Sequence, residues 1–85
     1  MNSIASIRKT IRAQIIDDTQ TFDDYKDFVQ KLKDVVEKNY SINTKFSIYS
    51  YMRCQTEKKF GKDSDNYRYL KIIARTAEEK KDIED

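Results

Sequence analysis

TKFSIYSYMRCQTEKKF, residues 44–60, decides the fold because it fits two templates at once. As a strand, Phe46, Ile48, Met52 and Cys54 alternate with Tyr49, Tyr51 and Arg53, and the Ser/Tyr/Ile content favours β structure. As a helix, Ile42, Phe46, Tyr49, Met52, Thr56 and Phe60 share one side. Lys58 and Lys59 then suit a helix C-terminus, and Gly61, the only glycine, supplies the stop.

The flanking segments favour the helix. Ser64 can cap a segment in which Tyr67, Leu70, Ile73, Ala74 and Ala77 recur at helical spacing and run into the helix-forming AEEKKD, residues 77–82. A lone strand at 46–54 would then have no partner. Upstream, Ser3 precedes Ile4, Ile7, Ile11 and Ile15, which predicts a helix over 4–16. Thr21 with Asp24 three residues on reads as a capping box, followed by Tyr25, Phe28, Val29, Leu32, Val35 and Val36 on one face of a helix over 22–39. The expectation is an all-α, four-helix domain with a core of Ile7, Ile11, Ile15, Phe28, Leu32, Val35, Val36, Leu70 and Ile73. The competing arrangement is ααββ, with a hairpin of 45–56 against 67–76.

Eighty-five residues make a single domain with a short acidic stretch at 78–85. A chain of this size buries only about 60% of the surface it exposes unfolded. A large internal active site is not expected, and a homodimer would supply extra burial. Cys54 is the only cysteine and histidine is absent, so disulfide frameworks, Cys/His zinc sites and His-dependent triads lack their parts. No continuous apolar run suggests a signal peptide or membrane span, and the expected location is cytoplasmic. Asn39-Tyr40-Ser41 matches a glycosylation tripeptide that such a location would leave unused.

No constellation specifies a reaction. Asp23-Asp24-Tyr25-Lys26-Asp27 matches DDxxD, the pattern that holds magnesium beside a diphosphate in isoprenoid synthases. Those enzymes need a large cavity and a second acidic cluster, whereas first-turn aspartates are what a helix dipole attracts in any protein. Cys54 has no histidine to activate it. Gly-rich phosphate loops, GKS/T and GxSxG are all missing. The expectation is a non-enzyme without metal or cofactor.

Charge is distributed unevenly behind a net +2: residues 1–40 carry seven bases and seven acids, 41–75 eight and three, and 76–85 two and five. The third quarter also holds Phe46, Tyr49, Tyr51, Phe60, Tyr67 and Tyr69. Cations interleaved with aromatics can grip phosphates and stack on bases. On the helical reading Arg68, Lys71 and Arg75 form a stripe flanked by Tyr67 and Tyr69. On the strand reading Tyr49, Tyr51 and Arg53 would join them as an outward platform. Lys58, Lys59 and Lys62 make a basic knot around Phe60, and Arg8, Lys9 and Arg12 a smaller one on the first helix.

The expected role is binding RNA or single-stranded DNA through this 45–75 surface. The rival is a regulator or inhibitor that occupies another protein, since Tyr and Arg also dominate protein interfaces. The acidic stretch fits either, by competing for the basic face or docking on a basic partner. No short recognition pair marks a helix-turn-helix.

Overall fold

Ser3, Thr21, Ser41 and Ser64 open four helices by accepting backbone N–H groups that no helical carbonyl can reach. Ser6 N–H donates to Ser3 Oγ and Asp24 N–H to Thr21 Oγ1, each at 3.1 Å. Thr44 N–H reaches Ser41 Oγ at 3.4 Å, and Tyr67 N–H reaches Ser64 Oγ at 3.1 Å. The resulting elements are α1 (Ile4–Ile16), α2 (Phe22–Asn39), α3 (Ile42–Phe60) and α4 (Asp65–Glu84). This computed structural model describes the backbone of residues 3–84 and the side chains of residues 3–74. The expectations for Arg75, Ala77 and the acidic side chains of 78–85 lie outside the described residues.

The fold is the four-helix one, and the described residues contain no strand, which overturns the ααββ alternative. Position explains why 44–60 fits both templates. Helix α3 packs against α1 on one flank and α4 on the other, so its apolar residues spread around the axis instead of lining one stripe. Ile48, Tyr49, Met52 and Thr56 are buried, and only Asn43, Ser47, Cys54, Lys58 and Lys59 are exposed. A helix covered on several sides loses amphipathic contrast, and its sequence then alternates by accident. Gly61 ends it at φ 91°, in a region that favours glycine.

Side-chain contacts fix the helix directions. Arg8 of α1 meets Ser47 and Tyr51 of α3, while Ile16 and Asp18 lie with Gln55, Lys58 and Lys59. Helices α1 and α3 are therefore parallel neighbours. Helix α2 runs the other way behind α3: Glu37 bonds Lys45 and Tyr49 at one end, and Tyr25 meets Thr56 and Phe60 at the other. It also packs on α4, where Gln30 Nε2 donates to Tyr69 Oη at 2.6 Å and the Phe22 ring meets Tyr69 edge-on.

The core contains Ile7, Ile11, Ile15, Leu32, Val36, Leu70 and Ile73 as expected, joined by Tyr25, Val29, Ile48, Tyr49, Met52 and Ala74. Two expected core residues need correction. Phe28 is only partly buried, against the edge of the core. Val35 is 41% exposed, because the buried seam of α2 runs Tyr25, Val29, Leu32, Val36, and Val35 falls a third of a turn to its side.

Two buried hydroxyls tie α2 to α3. Tyr25, with no exposed surface, shares a 2.8 Å hydrogen bond with Thr56, the one fully buried polar side chain among the described residues. Burial pushes the Tyr25 phenol up to about 12 from 10.0, outweighing the opposite pull of Thr56. Tyr49 Oη donates to Glu37 Oε1 at 3.4 Å, and Lys45 closes the cluster at 2.9 Å from Glu37 Oε2. Desolvation, then the Glu37 charge, raises the Tyr49 phenol as well. Both folded pKa values lie above the unfolded value. The stability this represents is complete below pH 10 and is lost as pH climbs through the folded values. An ultraviolet titration is expected to show two of the six tyrosines ionising only together with loss of the helical circular dichroism signal. Ionisation of Tyr25 and Tyr49 near pH 10 in a folded chain would refute this.

Candidate nucleic-acid interface

Helix α1 has three cations, Arg8, Lys9 and Arg12, and no acid; α3 has Lys45, Arg53, Lys58 and Lys59 against Glu57 alone. Helix α2 carries Asp23, Asp24, Asp27, Asp34 and Glu37 against Lys26, Lys31, Lys33 and Lys38. Because α1 and α3 are adjacent and parallel with α2 behind them, the cation excess of α1 and α3 falls on the outer face, and the rear helix is nearly balanced in charge.

The centre of the outer face is the exposed side of α3, formed by Ser47, Cys54 and Lys58 at spacings of seven and four. On its α1 flank the Arg8 guanidinium lies 5.5 Å from the centroid of the half-buried Tyr51 ring, within cation–π range. Arg8 Nη2 also donates to Ser47 Oγ at 3.4 Å. Arg12 follows Arg8 by one turn, about 6 Å along the helix, and is exposed. Arg8, Arg12 and Lys58 have no carboxylate partner among the described residues. Arg53 is half-buried on the opposite flank of α3, 100° round from Met52 and towards α4.

The residues expected to form one surface are divided by the fold. Tyr51 and Lys58 lie on the α1–α3 face. Tyr49 does not: it is 3% exposed and points to Glu37. Tyr69 is turned to the α2 side by Gln30 and Phe22. Lys59 pairs with Asp18 at 3.3 Å, Lys62 with Glu57 at 3.6 Å and Arg68 with Asp65 at 3.4 Å. These contacts involve exposed carboxylates and are weak enough for a phosphate to displace. Lys71 is exposed on α4, and Tyr67 is half-buried near its start. The site gains Arg8 and Arg12, which the sequence alone places in a separate knot. Their spacing on a helix without acids is the only signal the sequence offers for them.

Beside this face, Ile15, Ile16, Asp18, Gln55, Lys58 and Lys59 line a shallow groove of about 360 Å³. At the corner of α1 and α2, Gln14, Asp17, Gln20, Asp24, Asp27 and Lys31 border a second hollow of about 340 Å³. Two of its three carboxylates, Asp17 and Asp24, are engaged locally. Thr19 donates its hydroxyl and amide to Asp17, holding that carboxyl below its usual range, and Asp24 accepts from Thr21 N–H. Asp23 pairs with Lys26. No group of three His, Cys, Asp or Glu side chains among the described residues is placed to hold a metal ion, and no helix there is long and apolar enough to cross a membrane.

Comparison with protein families, with curated proteins and with solved structures finds no match to this chain. The functional reading therefore rests on the geometry of the face itself.

Proposed function

We propose that this protein acts by binding nucleic acid, RNA or single-stranded DNA, without catalysis, through the outer face of α1 and α3. The observation that carries the reading is that Arg8, over Tyr51, and the exposed Arg12 and Lys58 of the same two helices have no carboxylate partner among the described residues. Lys59, Lys62 and Arg68 pair with carboxylates, whereas these three exposed cations have none among the described residues. Phosphates would supply affinity through them, with Lys71 and Arg68 extending the track onto α4. The cytoplasm, where RNA is accessible, is the compartment this reading implies.

The test is the salt dependence of affinity for an unstructured oligonucleotide. Each phosphate neutralised on a single strand contributes about 0.7 to the log–log slope, so three contacts predict a slope of about −2. Tight binding that ignores salt, or no binding at low salt, would defeat the proposal. One observation favours the regulator or inhibitor reading instead. Ile16, 63% exposed beside the Lys58 and Lys59 groove, is an apolar anchor of the kind that protein partners bury. On that reading bare oligonucleotide binds weakly at every salt concentration, and Ile16→Asp weakens a protein partner sharply.

A further inference from the structure

Among the described residues, three cations sit over aromatic rings, and one differs from the others. Lys26 lies 4.8 Å from the Phe22 ring centroid and Lys59 5.4 Å from that of Phe60, but each is also held by a carboxylate, Asp23 and Asp18 respectively. Their position over a ring accompanies an ion pair. Arg8 has no such anchor among the described residues. Its partners are the Tyr51 ring and the neutral Ser47 hydroxyl, and it is exposed.

Tyr51 is half-buried and packs against the core. The guanidinium accordingly lies 5.5 Å from the centroid of a ring that packs on the core, and the Arg8 side chain is exposed to water. Arginine, unlike lysine, is planar and delocalised, and stacks on π-systems. An Arg plane backed by an aromatic ring is a stacking surface for a third flat group, and unpaired bases stack on Arg planes as well as on aromatic rings. Arg12 and Lys58 flank this surface with point charges for phosphates.

We propose that Arg8, backed by Tyr51 and steadied by Ser47, is the base-stacking position of this face, so that the protein selects unpaired over paired nucleic acid. This rests on the nucleic-acid reading and assigns separate roles within it. Arg12 and Lys58 read the backbone alone, whereas Arg8 reads the face of a base while its charge still counts towards the neighbouring phosphates. A duplex buries its base faces and can offer Arg8 only phosphate.

The test compares an unstructured oligonucleotide with a fully abasic phosphodiester strand of equal length and charge. The native protein is expected to prefer the intact strand between about fivefold and about a hundredfold for one stacked base. Arg8→Lys keeps the charge, so its salt slope is expected to match the native one while the preference for the intact strand disappears. Arg12→Lys is expected to retain the preference. An intact strand carrying 2-aminopurine supplies a second readout: its fluorescence is quenched on binding the native protein and less so on binding Arg8→Lys. Equal affinity for the two strands, or a preference that survives Arg8→Lys, would overturn the stacking role while leaving backbone binding in place. Failure of both strands to bind at low salt would overturn the parent reading and this role with it.

Discussion

Ile48→Ala is expected to cost about 2–5 kcal/mol, because Ile48 has no exposed surface and lies on the central helix of the fold. Marginal stability of about 0.05–0.15 kcal/mol per residue implies about 4–13 kcal/mol for a domain of this length, so this single change removes a large share. Val35→Ala is the matched control. Both substitutions delete aliphatic groups, but Val35 is 41% exposed, and its loss is expected to stay within about 0.5 kcal/mol. Denaturant midpoints measured side by side check the pair. If Val35→Ala were the costlier change, α2 would present the wrong face to the core. If Ile48→Ala were neutral, α3 would not occupy the centre.

The second large effect is on binding. Reversing Arg8, Arg12 and Lys58 together to Glu replaces three cations by three anions on the proposed face, and affinity for a single strand at low salt is expected to fall by at least about a hundredfold. The fold is expected to survive, since all three side chains are exposed and none holds a carboxylate among the described residues. Reversing Lys31 and Lys38, exposed on α2, changes net charge by about two thirds as much and removes cations from a different helix. Long-range steering alone would respond similarly to both sets, whereas direct phosphate contact responds to the first. Filter-binding or anisotropy titrations of the two variants separate these cases.

The helices were legible in the sequence where a cap stood before a single apolar stripe. Ser3 with its isoleucines and the Thr21–Asp24 box both predict their helices within the observed bounds, and both caps are present. Helix α3 is harder for a physical reason. A segment buried on two flanks by different neighbours carries apolar residues around most of its circumference, and periodicity cannot then choose between templates. What marks it as a helix is its C-terminal end, Lys58, Lys59 and Gly61, and the lack of a partner strand.

The candidate site was legible in part. Segregation of charge between segments can be counted, but the parallel packing of α1 against α3 cannot. That packing brings Arg8 beneath solvent and over Tyr51 from 43 residues away in the chain. The tyrosines are the least readable, because a phenol is both apolar and polar and its location depends on a distant partner. Glu37 draws Tyr49 inward, Gln30 turns Tyr69 to the α2 side, and Tyr51, with Arg8 above it, stays at the surface. Val35 is misassigned to the core because Leu32, Val35 and Val36 all sit at acceptable helical spacing, and only the neighbouring helices select which two are covered.

The most direct test of the central claim is a map of backbone amide shifts as an unstructured oligonucleotide is titrated into the protein at low salt. The account predicts that the changes concentrate on Arg8, Arg12, Ser47, Tyr51, Cys54 and Lys58, continue more weakly to Lys71, and leave α2 from Asp23 to Asp34 unmoved. Shifts centred on α2, or none anywhere at saturating strand concentration, would contradict it.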